Sequence, residues 1–394
     1  MSLIVSLTSY PPRIDRVHRV VQSLYKQTMQ ADEIILYLSL EEFPEAEDDL
    51  PDQLRVLIGK KGFKIEWVED NLKSHKKYYY ALQKYRDDTV ITVDDDTVYA
   101  ESMISDLVRG CRRFPHAISA RRARIVLKCG HGLESYRKWD GNLEEYADIP
   151  RMDLCAIGVG GICYPPGAGS ENWFRKEDIL AIAGKQDDLW LKYNEIMNYM
   201  PVVYVPPSQK DIQVDGAKEN GLFGFNINGG NDRCAGALLK RMKIENPGEY
   251  EKWFQNLMSW EEYAVQKKRY YSGILKADFD KAKGAPVYLY GAGARAKYLL
   301  DVLSDLYLAN EITAVIVSEQ ADNPTELDGI EVRQLDEIDT GECFGIIFGV
   351  NDSNRRQIEA ALEGYHYYPV ELNMQVIVKY SNIVGGWRDR RTYQ

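Results

Sequence analysis

The chain has 394 residues, of which 45% are hydrophobic and 28% charged, and its formal net charge is -11 at pH 7. A chain of this length exceeds the size at which one hydrophobic core usually stops growing, so we expect two domains. The composition excludes an intrinsically disordered protein, and the acidic balance argues against nucleic acid as a partner, because nucleic-acid-binding proteins carry a basic surface.

The predicted compartment is the cytoplasm. The six cysteines form no close pair and no metal-ligand spacing, which favours a reducing compartment over a disulfide scaffold. A strand-like segment begins at Leu3 without a signal-peptide pattern before it, and no stretch approaches the ~20 apolar residues of a membrane span. Peripheral association with the inner face of the cell membrane and assembly into a homo-oligomer are both compatible with the sequence.

Short β-branched segments alternate with amphipathic segments in the first hundred residues. Val17, Val21 and Leu24, for example, recur at helical spacing. Strands are expected at 3–7, 33–39, 64–68 and 90–93, and helices at 17–27 and 78–85. This alternation predicts βαβ units and the largely parallel sheet of a nucleotide-binding α/β domain.

The middle of the chain is expected to be less regular. Residues 158–166 are predicted to form a loop dense in Gly and Pro, and residues 222–236 a second irregular stretch. Long irregular segments inside a compact domain are usually functional. The expected division is a first domain at 1–245, a helical linker at 246–285, a smaller Rossmann-like α/β domain at 286–376 and a C-terminal tail at 377–394.

The second domain contains a glycine pattern after its first strand. Gly291, Gly293 and Ala296 have the spacing of a dinucleotide fingerprint, and they lie between a predicted strand and a predicted helix. Glu319 follows the next strand, where an acidic residue would hold a ribose. These four residues are the nucleotide-binding candidates of this domain. A nucleotide- or partner-binding accessory, a structural domain and a working dehydrogenase all stay open.

Three consecutive carboxylates, Asp94, Asp95 and Asp96, follow the strand predicted at 90–93. Ligands of open α/β sheets lie beyond the carboxyl ends of the strands, and Mg²⁺ is usually held by one or two carboxylates together with substrate phosphates. The triplet therefore suggests a metal that bridges the protein and a phosphorylated ligand. A solvated turn or a helix N-cap would explain the same residues.

A second acidic pair, Asp187 and Asp188, stands at the head of an apparent helix. Acids in a first helical turn also serve as caps and as partners of the helix dipole. Together with a metal site, however, such a pair would complete the requirements of group transfer. The metal would neutralise a leaving diphosphate, and a carboxylate would take the proton of an attacking hydroxyl.

Further candidates for donor contacts lie at strand ends, at a helix start or in the glycine-rich segment. They are Thr8, Ser9, Tyr10 and Arg13 after the first strand, Lys76 and Lys77 for a diphosphate, and Gly160 and Gly161 for close approach of the backbone. Asn231 and Asp232 close the second irregular stretch, and their roles as metal ligand, acceptor contact or N-cap stay open.

Taken in order, these motifs resemble bacterial glycosyltransferases of the GT-A fold, the family-2-type enzymes of capsule and lipopolysaccharide synthesis. The matching segments are 6–13, 76–77, 93–96, 160–166, 187–190 and 231–232. The second domain resembles the small Rossmann-like domains that precede sugar O-acetyltransferases. Lys185 and Gln186 depart from the small residues expected before the acidic pair.

The resemblance implies a role for each acidic residue. Asp94 and Asp96 would bind Mn²⁺ or Mg²⁺ as a DxD element, and Asp94 and Asp95 would also contact the sugar nucleotide. Asp188 would be the base of an inverting transfer, and Asp187 would orient the acceptor or the sugar.

The function implied is a metal-dependent glycosyltransferase that moves a sugar from a nucleotide-sugar donor to a glycan or lipid-linked glycan acceptor. Three alternatives stay open. They are an NAD(P)-dependent oxidoreductase centred on 291–296, a metal-dependent nucleotidyltransferase or phosphohydrolase acting on sugar nucleotides, and a non-catalytic assembly protein with vestigial acids.

Overall fold

A computed structural model describes residues 1–214, 229–320, 323–339 and 341–391. The chain divides into two compact units, Met1–Trp260 and Glu261–Gln394, and the division falls within the range for which the sequence predicts a helical linker. Each unit is built around a sheet with parallel strands, so the α/β fold class expected from the sequence is confirmed. Among the described residues, no helix is long and apolar enough to cross a membrane.

Among its described residues, the first unit contains an eight-stranded sheet and three pairs of short strands. Its strands are β1 (Leu3–Thr8), β2 (Glu33–Ser39), β3 (Phe63–Val68), β4 (Thr89–Thr92), β5 (Thr97–Val98), β6 (Ile118–Ala120), β7 (Ala123–Ile125), β8 (Lys128–Cys129), β9 (Gly132–Leu133), β10 (Pro150–Arg151), β11 (Leu154–Ala156), β12 (Ile162–Tyr164), β13 (Val202–Tyr204) and β14 (Ile212–Gln213).

The described helices of the first unit alternate with strands over the first hundred residues, as predicted, whereas several later helices follow one another without a strand between them. They are α1 (Ile14–Leu24), α2 (Asp52–Arg55), α3 (Lys76–Lys84), α4 (Met103–Arg113), α5 (Lys176–Ile182), α6 (Asp187–Met197), α7 (Asn231–Glu245) and α8 (Pro247–Gln255). Helix α9 (Trp260–Phe279) begins at the division between the units.

The sheet of the first unit runs in the order β10-β13-β6-β12-β4-β1-β2-β3. Strand β1 lies between β2 and β4 and is parallel to both, so the carboxyl ends of these strands meet at one edge. Val5 and Leu7 face one side of the sheet, where they share a core with apolar residues of α1 and α4. Ser6 faces the other side, because side chains alternate along a strand, and its hydroxyl donates to the Lys77 carbonyl in α3.

Two predictions for the middle of the chain require correction. The segment 158–166 is not a continuous loop, because β12 lies inside it and pairs antiparallel with both β4 and β6 in the sheet. The second irregular stretch, 222–236, ends earlier than expected, since helix α7 begins at Asn231. Residues 222–228 of that stretch lie outside the described residues.

The second unit has a six-stranded sheet in the order β17-β18-β16-β15-β19-β20. Its remaining elements are β15 (Val287–Tyr290), α10 (Ala294–Asp305), β16 (Ala314–Val317), β17 (Glu326–Leu327), β18 (Ile330–Gln334), β19 (Phe344–Phe348), α11 (Asp352–Ala361), β20 (Tyr367–Pro369) and α12 (Met374–Arg391). All neighbours are parallel except β17, which pairs antiparallel with β18.

The predicted tail at 377–394 is wrong through residue 391, because α12 occupies those residues. Ile377 and Tyr380 of this helix are buried in the core of the second unit. The second unit therefore extends beyond residue 376, where the sequence predicts its end.

Candidate active site

A cavity of about 840 Å³ lies in the first unit at the edge where β1 and β4 end. This edge is where open α/β sheets bind their ligands. The cavity brings together eleven residues that were predicted from distant parts of the sequence. They are Thr8, Ser9, Tyr10, Arg13, Lys76, Lys77, Asp94, Asp95, Asp96, Asp187 and Asp188.

The acidic triplet occupies the connection between β4 and β5, and each carboxylate is paired with a basic side chain. Asp95 is buried, and it accepts hydrogen bonds from the Ser9 hydroxyl at 2.6 Å and from Arg13 Nη1 at 2.7 Å. The same Arg13 nitrogen lies 3.0 Å from Asp96 Oδ2. Asp94 Oδ1 accepts from Lys77 Nζ at 2.5 Å. The triplet is thus held by one guanidinium and one ammonium.

Lys77 connects the triplet to the second acidic pair. Its Nζ lies 2.5 Å from Asp94 Oδ1 and 2.9 Å from Asp187 Oδ2. Asp187 and Asp188 form the first turn of α6, as the sequence predicts. Carboxylates about ninety residues apart in the sequence therefore lie on either side of one buried ammonium.

Gly158 is a site residue that the sequence analysis did not select. Its backbone N–H donates to Asp188 Oδ1 at 3.0 Å. A Cβ atom at this position would lie 2.8 Å from Lys77 Nζ and 3.3 Å from Asp188 Oδ1, so a side chain would collide with the site. No signal in the sequence distinguishes Gly158 from the neighbouring glycines.

Gly160 and Gly161, the predicted backbone contacts to the donor, do not line the cavity, and their contact with a donor stays a prediction. A Cβ atom at Gly160 would lie 2.8 Å from the backbone nitrogen of Arg122. Gly161 has a φ of +81°, and a Cβ atom there would lie 3.0 Å from Leu107 in α4. Both glycines therefore serve close packing of the polypeptide.

The pKa values of the acidic pair are driven in opposite directions. Burial, reinforced by the charge of Asp187, raises the pKa of Asp188 well above its usual range, although Lys77 opposes the shift. Burial also opposes ionisation of Asp187, but Lys77 and His75 outweigh it and hold the pKa of Asp187 below its usual range. Neighbouring carboxyls whose pKa values diverge in this way mark a division of acid–base roles.

The triplet has a partly uncompensated charge. Burial, followed by the charge of Asp94, raises the pKa of Asp96 to about 6. Burial also raises the pKa of Asp95, in spite of Arg13. A divalent cation at Asp94 and Asp96 would supply the missing counter-charge, so these two carboxylates fit such an ion.

The protein ligands alone are too few to enclose a metal ion. The described residues contain no group of three or more His, Cys, Asp or Glu side chains placed to hold one. Mg²⁺ sites commonly use one or two carboxylates and take further oxygens from water and substrate phosphates. The arrangement suits an ion that arrives with a phosphorylated ligand.

Two further predicted donor contacts are engaged within the protein. The Thr8 hydroxyl donates to the Tyr37 carbonyl at 2.8 Å, which joins the end of β1 to β2. Lys76 Nζ lies 2.6 Å from Glu42 Oε2, and Lys76 is almost completely buried. Both residues line the cavity, and their contact with a donor stays a prediction.

Tyr136 lines the cavity, and the sequence analysis did not select it. Its ring packs against Trp139 at 5.1 Å, and Arg124 lies over it at 5.0 Å. Asp232 accepts a hydrogen bond from the Tyr136 backbone N–H at 2.6 Å, while Asn231 is buried and lines the cavity. Asp232 thus holds the backbone at Tyr136, and the roles of metal ligand, acceptor contact and N-cap stay predictions for the pair.

The candidate residues of the second unit have mainly packing roles. Gly291 has a φ of +102°, and a Cβ atom there would lie 2.8 Å from Val350. Ala296 is fully buried in the core. Gly293 precedes α10 with open space around its Cβ position, and Glu319 is exposed after β16. Nucleotide binding by these residues stays a prediction.

No family model and no curated protein matches the chain. Among solved structures, it is similar to a Pyrobaculum calidifontis mannosyltransferase in complex with GDP-Man and Mn²⁺, with 11% identity, 64% of this chain and 68% of that chain covered, and a TM-score of 0.37. It is also similar to 2-C-methyl-D-erythritol 4-phosphate cytidylyltransferase from Francisella tularensis, with 12% identity, 57% and 100% covered, and a TM-score of 0.35. A third similar structure is a 4-diphosphocytidyl-2C-methyl-D-erythritol synthase from Anaerococcus prevotii. The identity is 15%, the match covers 61% of this chain and 99% of that chain, and the TM-score is 0.35. Scores this low carry no functional argument, so function is inferred from the cavity itself.

Proposed function

We propose that the first unit is a metal-dependent glycosyltransferase that moves a sugar from a nucleotide-sugar donor to a hydroxyl of a glycan or lipid-linked glycan. The observation that carries the proposal is the position of Lys77, in contact with both Asp94 and Asp187. This position supports the proposal, because it links the acidic triplet to the acidic pair that contains the proposed base, Asp188, and both line one cavity. The volume of about 840 Å³ lies within the range of about 300–1,000 Å³ that is usual for small-molecule sites.

The donor would lie at the ends of β1 and β4, where Asp94 and Asp96 would hold Mn²⁺ or Mg²⁺. When bound, such an ion would neutralise the charge that develops on the leaving diphosphate. Lys77 and Arg13 stand beside these carboxylates and supply two further positive charges to the same end of the cavity.

Asp188 is the proposed base. It would accept the proton of the acceptor hydroxyl as the acceptor oxygen bonds to the anomeric carbon and the bond to the diphosphate oxygen breaks, which inverts the anomeric configuration. A general base works best with a pKa near the working pH, and the raised pKa of Asp188 serves this requirement. The Gly158 N–H would orient the carboxylate.

The proposed setting is surface polysaccharide synthesis at the inner face of the cell membrane. The second unit, with its parallel sheet, is proposed as an accessory that binds a nucleotide or a partner protein.

The test is a panel of UDP-, GDP- and dTDP-sugars with Mn²⁺ and glycan acceptors. We expect release of a nucleoside diphosphate together with an extended glycan for one donor. A nucleotidyltransferase would instead release pyrophosphate from a nucleoside triphosphate without needing a glycan. That product pattern would overturn the proposal in favour of the rival.

A further inference from the structure

Two basic side chains of the protein form ion pairs with the carboxylates proposed as metal ligands. Lys77 Nζ lies 2.5 Å from Asp94, and Arg13 Nη1 lies 3.0 Å from Asp96. Each cation also has a second carboxylate partner outside the proposed ligand pair. Lys77 lies 2.9 Å from Asp187, and Arg13 lies 2.7 Å from Asp95.

The second partners have an energetic consequence. The Lys77 side chain is 5% exposed and the Arg13 side chain 15% exposed, so neither charge can lose all its partners without a large penalty. Because each cation has two carboxylates, it can give up one and stay paired with the other. Asp187 and Asp95 thus act as anchors for Lys77 and Arg13.

We propose that Lys77 and Arg13 are place-holding cations, which neutralise Asp94 and Asp96 until a divalent metal ion enters together with the diphosphate of a nucleotide. This inference rests on the proposed function and deepens it. The place-holding cations would remain at their anchors and turn their released N–H groups to the diphosphate oxygens. Guanidinium and ammonium groups form strong charge-assisted hydrogen bonds with phosphate.

A metal ion alone would gain little from this site. It would find two carboxylates already paired, and the described residues offer no third acidic, His or Cys ligand in a cluster. A diphosphate changes the balance, because it supplies both oxygens to the metal and acceptors to the displaced cations. Binding of metal and of nucleoside diphosphate should therefore be strongly and reciprocally coupled.

The inference gives new roles to two residues. Asp187 becomes a positioning residue that holds Lys77, where the family resemblance suggests a contact with the acceptor or the sugar. Asp95 becomes the positioning residue for Arg13, where the resemblance suggests direct contact with the donor. Both assignments follow from the ion pairs of the buried carboxylates Asp187 and Asp95.

The experiment measures Mn²⁺ binding to the full chain by water-proton relaxation enhancement, which distinguishes Mn²⁺ in a protein complex from Mn²⁺ bound to free nucleotide. Wild type should bind Mn²⁺ weakly alone and about tenfold or more tightly with one of UDP, GDP or dTDP. Lys77→Met should tighten binding of Mn²⁺ alone about fivefold or more and reduce the coupling to the nucleotide.

Lys192→Met is the matched control, because the Lys192 side chain is as buried as that of Lys77, is paired with Glu195 instead of the triplet, and does not line the cavity. It should leave binding of Mn²⁺ alone unchanged. Arg13→Gln gives the same test at Asp96, and it decides the question if Lys77→Met does not fold.

The outcomes separate this inference from the proposed function. The place-holding role would be overturned if wild type bound Mn²⁺ as tightly without nucleotide as with it. It would also be overturned if Lys77→Met and Arg13→Gln bound Mn²⁺ alone no more tightly than wild type does. Either result would still be compatible with a metal site at the triplet. Absence of a ternary complex with all three diphosphates would instead overturn the proposed metal-dependent function.

Discussion

Both units contain candidate site residues that the sequence places after strands or at helix starts, but the surroundings of those residues differ. In the first unit, Asp94 after β4 and Asp187 at the head of α6 converge on the ammonium of Lys77. In the second unit, Gly291 and Ala296 are accounted for by close packing against their own unit. Convergence of buried charges from distant segments therefore identifies a site more strongly than a glycine spacing does.

The largest effect is expected for Asp188→Asn. Transfer should fall by about 10²–10⁴-fold, the usual contribution of a general base, because the amide cannot take the acceptor proton. The amide oxygen can still accept the Gly158 hydrogen bond, so affinity for the donor should stay near that of wild type. Single-turnover rates with saturating donor measure the change. Wild-type turnover in this variant would remove Asp188 from the base role.

Stability should shift in opposite directions for the two acids of the pair. Asp187→Asn should destabilise the protein by about 1–3 kcal/mol, less than the 3–5 kcal/mol of a fully orphaned buried charge, because Lys77 keeps Asp94. Asp188→Asn should raise Tm at neutral pH by on the order of 2–4 °C, the change that 1 kcal/mol produces in a domain of moderate size.

The sign of that second shift follows from linkage. The pKa of Asp188 is raised in the folded state, so Asp188 lowers the stability of the protein at any pH above the pKa that it has in the unfolded chain. Asn cannot ionise, so the substitution removes this loss of stability. Thermal melts of both variants at two pH values check the pair. Equal destabilisation by the two substitutions would contradict the divergent pKa values.

The pH dependence of transfer gives a smaller but independent test. Asp188 must be ionised to accept a proton, so transfer should fall as the pH drops through its raised pKa, above the usual value of about 4 for Asp. In Asp187→Asn the neighbouring charge is removed, so the acid limb should move to lower pH. A pH–rate profile of the residual activity measures the position of the limb. If the acid limb of the pH–rate profile does not move, the limb reports the ionisation of a group other than Asp188.

The second unit contains the substitution with the smallest expected effect, Gly293→Ala, beside a more costly one, Gly291→Ala. Gly291→Ala should cost about 1–3 kcal/mol because of its positive φ and the contact with Val350. Gly293→Ala should cost at most about 1 kcal/mol, since its Cβ position is open and the change affects only the helix cap. Denaturant unfolding measures both. If Gly293→Ala proves the more damaging substitution, the packing explanation of this pattern is wrong.

Much of the fold could be predicted from hydrophobic periodicity. Strand β2 has the predicted limits Glu33–Ser39, and β3 begins one residue before the predicted range 64–68 and ends with it. Strand β12 was hidden, because three residues between Gly and Pro are too short to show an alternating pattern. The helix at the C-terminus was also missed, and its burial depends on the packing of the second unit.

The site residues could be predicted by type and by position at strand ends, but their pairing could not. The sequence does not show that Gly158 is the glycine beside Asp188 and that Gly160 packs against Arg122, because this depends on how the backbone folds. Likewise, the contact of Lys77 with Asp187 joins segments more than a hundred residues apart in sequence. Such contacts follow from tertiary packing and leave no local pattern in the sequence.

The central claim is that the cavity of the first unit binds a nucleotide sugar through a metal at the acidic triplet. Calorimetric titration of the full chain with the active sugar nucleotide, in Mn²⁺ and then in EDTA, tests it most directly, with Asp96→Asn measured in parallel. We predict that wild type binds the sugar nucleotide tightly only when Mn²⁺ is present. The affinity should fall at least tenfold, which is about 1.4 kcal/mol, when EDTA replaces Mn²⁺ or when Asp96→Asn replaces wild type. Donor binding of equal affinity in all three conditions would contradict the claim.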